Sequence, residues 1–370
     1  MKNQGTEKEN ISPRISTRLV SLDALRGWTM FWIVGGGSIV TGLAALGHNI
    51  VIDTIVYQLE HTPWQGLRYY DLIWPSFMLM TGMSLPFSYA KRRLNQTHQQ
   101  IFRRVLKRVI ILFLLGSLRE SVSLNHPYLI ELSSALQPIA LSYFVAFLVV
   151  RKSWRFQAAT AAGLWLGYAL MLGFVPAPGL AAGTLQVNHN LVTFVDQTVL
   201  GRTLPEGWGT ILSGIPPIAT TILGLLCGRL LLTDKPAQKK LVLISMIGFA
   251  CVVAGLILDP VVPIIMKLWT TSYGLASAGW SCLLFALFYW IIDVRGLRGW
   301  VFPFVVIGMN ALAVYMGRTL VPLDHIVGIF SRGIAAHLGN FGSLFEALAV
   351  ILVEWLILYW MYKRKLFLTA

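Results

Sequence analysis

The chain has 370 residues, 56% of them hydrophobic and 12% charged, and a mean hydropathy of +0.66. Soluble domains carry about a quarter charged residues, so an ordinary soluble globular protein is excluded. The net charge of +14 would point to nucleic acid in a soluble chain, but here the apolar blocks are long enough to cross a bilayer, and the charge reads first as a topology signal, with no nucleic-acid partner expected.

Residues 1–18 are polar, lack an apolar h-region and a small-residue cleavage site, and read as a cytoplasmic tail. Apolar runs between charged or Pro/Gly-rich breaks then predict about ten transmembrane helices, near 25–46, 70–90, 104–119, 129–150, 156–175, 209–232, 241–258, 270–292, 300–320 and 344–362. The third is the weakest because Lys107 and Arg108 occupy its first turn. The amphipathic stretch 325–338 reads as a re-entrant or interfacial helix rather than an eleventh span. Cys227, Cys251 and Cys282 lie inside apolar blocks without disulfide or zinc-type spacing, which argues against metal or redox chemistry through sulfur. The expected fold is an all-α polytopic membrane bundle, with 19–365 as one membrane domain.

Every second connection is rich in Lys and Arg. The basic set comprises Lys2, Lys8, Arg14 and Arg18; Lys91, Arg92, Arg93, Arg103, Arg104, Lys107 and Arg108; Arg151, Lys152 and Arg155; Arg229, Lys235, Lys239 and Lys240; Arg295 and Arg298; and Lys363, Arg364 and Lys365, which is 23 of the 30. The positive-inside rule therefore puts both termini in the cytoplasm, in keeping with an even number of spans. The connections 47–69, 119–128, 176–208 and 321–343 face the opposite side, and with them go six of the seven histidines, all but His98. Of these, 176–208 is long enough to be a lid or an acceptor-binding surface, with 189–202 as a short helix at the membrane surface.

Ionisable groups within spans cost several kcal/mol unless paired or solvated, which makes each a functional candidate. Asp23 and Arg26 share a helical face and read either as an ion pair or, through Arg26, as a phosphate ligand. Gly35, Gly36 and Gly37 in mid-span suit close approach of a ligand or a neighbouring helix, or else a kink. His61 stands beside Pro63 and Trp64 just before the second span, as a base near neutral pH or as an interfacial belt residue; Asp71 or Glu60 could orient it. Arg119 and Glu120 read as an interfacial pair, and Glu131, Gln137, Asn310 and Glu354 as interhelical hydrogen-bonding or site groups.

Taken in order, Arg18-Leu-Val-Ser-Leu-Asp23-Ala-Leu-Arg26-Gly27, Gly35-Gly-Gly37, His61-Thr-Pro-Trp64-Gln-Gly66 and Asp71-Leu-Ile-Trp-Pro75 resemble the heparan-alpha-glucosaminide N-acetyltransferases and their bacterial relatives among transmembrane acyltransferases. Leu136-Gln137-Pro138, Pro216-Pro217, Leu268-Trp269-Thr-Thr-Ser272-Tyr273 and Gly308-Met309-Asn310 continue the pattern to about residue 365. The resemblance implies transfer of an acetyl group from cytosolic acetyl-CoA to an amino sugar or glycan across the membrane, by a homodimer in a bacterial inner membrane. It implies His61 as the catalytic histidine, with Asp71 offered beside it by proximity in sequence. Keeping acetyl-CoA at the basic inner surface adds Arg26, Arg103, Arg104, Lys107 and Arg108 as candidate phosphate ligands, and Gly35, Gly36, Gly37, Gln137 and Asn310 complete the expected CoA-binding set, without a metal. Two departures stand out: Ile33-Val34 replace an Asn-Tyr pair, and Pro138 replaces an arginine. The competing expectation is a sugar or oligosaccharide transporter without chemistry, against which the lack of a convincing internal repeat counts.

Overall fold

The computed structural model describes residues 19–127, 132 and 134–368, so the tail 1–18 and Glu131 lie outside the described residues. The described chain is almost wholly α-helical. Helices α1 (Val20–Ala44), α3 (Ile73–Arg93), α4 (His98–Ser123), α5 (Leu136–Val149), α6 (Trp154–Phe174), α8 (Pro216–Leu232), α9 (Ala237–Leu258), α10 (Thr271–Tyr289), the pair α11 (Phe302–Met309) and α12 (Ala311–Leu320), and α14 (Gly342–Lys363) lie at the ten expected segments. Between them sit α2 (Ile50–Leu59), α7 (Leu191–Leu200) and α13 (Leu323–His337). A two-stranded hairpin, β1 (Leu185–Gln186) with β2 (His189–Asn190), precedes α7.

Four of the described helical segments are long and apolar enough to cross a membrane, or up to six if each bent pair is one span. The others fall short for readable reasons. α4 carries Arg103, Arg104, Lys107 and Arg108, and α5 has only 14 residues. α9 carries the clearest membrane signal: it is long and apolar enough to cross a bilayer, and Met246, Phe249, Leu256 and Ile257 are all more than half exposed on its outer face, an apolar surface suited to lipid.

Local sequence accounts for the helix ends. Thr97 and Gln100 form a reciprocal capping box at the start of α4, Asn49 caps α2, and Pro216-Pro217 occupy the first turn of α8, where a missing N–H costs nothing. Asn310 leaves helical geometry (φ −121°, ψ 31°) and divides α11 from α12, which meet at a 62° bend.

Small residues set the walls. Gly82 on α3 rests on the Thr221 carbonyl of α8, while Gly224 and Gly228 on α8 rest on the Leu79 and Met83 carbonyls of α3. Backbone-to-backbone packing of this kind holds helices together where no hydrophobic force distinguishes protein from lipid. Gly27 of α1 and Gly308 of α11 interlock in the same way. The two rigid pairs leave a space between α1, α3, α4, α5, α11 and α12, and that space is the site.

Candidate functional site

A cavity of about 700 Å³ runs between these helices. One end is lined by Arg26, Ser84, Ser88, Arg108 and Leu368; the middle by Met30, Ile33, Phe77, Thr81, Leu112, Ile139, Met309 and Leu312; the other end by His61, Tyr70, Trp74, Arg119, Glu120, Trp208 and Tyr315. At a rise of about 1.5 Å per residue, Trp74 and Ser88 on α3 are roughly 21 Å apart, so the cavity extends through most of an apolar layer.

His61 lies in an extended stretch between α2 and α3, fixed by one buried acid. Asp71 is fully buried in the 3-10 turn Tyr69–Leu72, where its carboxylate closes the turn by accepting from the Arg68 amide at 3.0 Å. The same carboxylate accepts from Thr62 Oγ1 at 2.6 Å and faces His61 Nδ1 at 2.8 Å. Several donors converging on one group stabilise a carboxylate. Since a carboxylate only accepts, Nδ1 carries the proton, and Nε2 on the far edge of the ring is left as the basic nitrogen. The ring lines the cavity, edge-on to Tyr70 (centroids 4.7 Å apart) and to Trp208 (5.7 Å). Glu60, the other orienting candidate, instead lies 3.6 Å from Arg68.

Three segments are knit together around this dyad. The Gly66 amide donates to the Ile264 carbonyl at 2.8 Å, the Gly209 amide to the Lys267 carbonyl at 2.9 Å, and the Tyr273 hydroxyl to the Asp71 carbonyl at 2.6 Å.

At the opposite end two guanidinium groups enter the cavity wall. Arg26 also pairs with Asp23 at 3.4 Å. Arg108 lies over the Tyr143 ring at 4.8 Å, and its buried Nε finds no hydrogen-bond partner among the described residues. Arg103, Arg104 and Lys107 do not join it. At 100° per residue the inward face of α4 is Ile101, Val105, Arg108 and Leu112, and the other three basic side chains lie outside it and are exposed, Arg104 on its flank.

The remaining expected ligands lie off this cavity's wall. Gly35 packs against Ile351 of α14 and Gly36 against the Tyr70 ring, while α1 passes through all three glycines unbroken; none of them lines the cavity. Gln137 is buried and donates to Ser117 Oγ at 3.0 Å. Asn310 clamps the chain after α14, donating to the Leu366 carbonyl and accepting from the Leu368 amide, each at 3.1 Å. Of the expected CoA-binding set, Arg26 and Arg108 line this cavity, and these five residues do not.

Arg119 and Glu120 pair at 2.6 Å as expected, and both line the cavity, with Arg119 over the Tyr315 ring at 4.3 Å. Sequence reasoning also missed Trp208. It stands at the end of the 176–208 loop, and loop length was its only signal. Ile33 of the departing Ile33-Val34 pair lines the cavity and makes that stretch of wall apolar.

No family model matches the chain. Among curated proteins it is 23% identical over 379 aligned positions to human heparan-alpha-glucosaminide N-acetyltransferase, covering 81% of this chain and 52% of the human protein. The mouse protein of the same name is 22% identical over 384 positions, covering 84% of this chain and 56% of its own length. The chain thus spans about half the length of the curated relatives it matches. These relatives bear out, at the level of the family, the resemblance carried by the motifs.

Proposed function

We propose that this protein is a membrane acyltransferase that moves an acetyl group from acetyl-CoA, held at the Arg26–Arg108 end of the cavity, to an amino-sugar acceptor at the His61 end. The observation that carries the reading is the single cavity joining two guanidinium groups to a buried-acid–histidine dyad. The residues fit the donor. Arg108 offers an unused Nε to a phosphate, and the apolar middle suits a pantetheine arm, leaving the thioester near His61. In this reading the ten helical segments cross the bilayer, with the basic connections, both termini and the Arg26 end on the cytoplasmic side.

The chemistry is acyl transfer. The acceptor nitrogen attacks the thioester carbonyl carbon, a C–N bond forms and the C–S bond breaks. His61 Nε2 takes the proton from the nitrogen and returns it to the departing sulfur, while Asp71 holds the ring and stabilises the imidazolium. The resident groups stay where they are; only the acetyl group changes sides.

His61→Ala is expected to lower turnover by about 10² to 10⁴ while leaving acetyl-CoA bound, the binding being read as thermal stabilisation of purified protein. Unchanged turnover in that variant removes His61 from the reaction. Uptake of unmodified sugar into proteoliposomes without acetyl-CoA identifies a carrier instead.

A further inference from the structure

The loop that ends at Trp208 is built more rigidly than a connection requires. Glu206 adopts left-handed geometry (φ 57°, ψ 17°) and Gly207 follows at φ 76°. For a residue other than glycine this conformation is uncommon and persists only where the surroundings enforce it. The Glu206 carboxylate, itself exposed, binds Lys267 Nζ at 2.8 Å, and that lysine side chain is only 5% exposed. A Cβ on Gly207 would meet the Trp64 ring at 2.9 Å, so the backbone is pressed against that indole. Beyond Trp208, the buried Asp196 accepts from the Thr210 and Ile211 amides and from the Thr210 hydroxyl, at 2.9 to 3.0 Å. Both sides of Trp208 are therefore anchored, and the indole is held in the cavity wall edge-on to His61.

The half-buried Trp208 indole, which lines the His61 end of the cavity with Lys267 Nζ 5.8 Å from its ring centroid, offers apolar ring surface. An exposed carboxylate two residues away offers acceptor oxygens. Together these match a pyranose, which has an apolar C–H face and a rim of hydroxyl or amine donors, and neither matches the phosphates and long flexible arm assigned to the other end. We infer that Trp208 is the platform on which the ring of the acceptor sugar stacks beside His61, with the Glu206 carboxylate accepting hydrogen bonds from its hydroxyl or amine groups. The choice of a sugar as ligand rests on the acyl-transfer reading above.

The test measures sugar binding without chemistry. A glucosamine disaccharide is titrated against the detergent-solubilised full chain by ligand-observed NMR, for the wild type, Trp208→Ala, Trp208→Phe and Glu206→Gln, with acetyl-CoA affinity and thermal midpoint measured on each. Trp208→Ala is expected to weaken the disaccharide about tenfold or more, Trp208→Phe to restore part of the loss, and Glu206→Gln to weaken it less. Acetyl-CoA affinity is expected to stay within about twofold. Disaccharide affinity unchanged in a folded Trp208→Ala protein overturns the inference, even if turnover falls, because a residue that only positions His61 changes kcat and leaves sugar affinity intact. A wild type that binds the disaccharide through Trp208 but never binds acetyl-CoA sinks the acyl-transfer reading and leaves the sugar site standing. A wild type that binds acetyl-CoA but not the disaccharide does the reverse.

Discussion

At the scale of single residues, the Asp71 carboxylate faces His61 and the Glu206 carboxylate binds Lys267. His61 and Asp71 are ten apart, and proximity in sequence offered Asp71 or Glu60 as the acid that orients the histidine. Which acid does so was not legible, because Glu60 and Asp71 are equally acidic in sequence and only burial separates them. Glu206 was invisible for another reason: its partner Lys267 is 61 residues away. The Lys267 ammonium holds the Glu206 carboxyl below the ordinary glutamate value of 4.5, first through the hydrogen bond and then through its charge, with His61 adding to it. A lowered native value means that the unfolded chain binds more protons between that value and 4.5. The stabilisation is therefore complete above pH 4.5 and is lost as pH falls through the lowered value. Thermal midpoints of the wild type and Glu206→Gln, followed from pH 7 down to about 3, are expected to differ by a constant amount above 4.5 and to converge below it. A gap that persists undiminished at the acid end would show that the pair does not stabilise the loop through the carboxylate charge.

At the scale of elements, the placing of helices was readable and their facing was not. Apolar runs mark where a helix crosses, but a helix with core on one side and lipid on the other is apolar all round, so the 3.6-residue alternation that orients a soluble helix is absent. For this reason Arg103, Arg104, Lys107 and Arg108 looked equivalent, although only one faces inward. Glycines carry the orientation that periodicity lacks. Gly224 of α8 presses on the Leu79 carbonyl, whereas Gly163 of α6 is exposed with nothing within 4 Å of an added Cβ. The same substitution should then have opposite signs. Gly224→Ala forces α3 and α8 apart and is expected to cost about 1 to 3 kcal/mol, while Gly163→Ala gains roughly 0.5 to 1 kcal/mol from helix propensity. Reversible unfolding in mixed micelles reads both. Equal effects would mean that the α3–α8 contact is looser than backbone packing requires.

At the scale of the whole molecule, the net charge of +14 suggested a direction, and the cavity gives that direction a use. A charged nucleotide cannot cross lipid, and a sugar on the far side cannot reach it, so transfer between them needs a passage narrower than either and open along its length. Thr81 of α3 lies midway, one turn from Phe77 and one from Ser84, and lines the cavity wall. Thr81→Trp places an indole across the passage without touching the guanidinium groups or the dyad. If the reaction runs through this cavity, acetyl transfer falls by about 10² or more, as for other misplaced reactants. Meanwhile the nucleotide fragment 3′,5′-ADP still binds at the Arg26–Arg108 end and the disaccharide still binds at the His61 end. Loss of all three activities would report only a disturbed fold, and the thermal midpoint identifies that case; the smaller Thr81→Phe then repeats the test at lower packing cost. Full turnover in a stable Thr81→Trp protein is the informative failure, since it would require the acetyl group to travel outside this cavity.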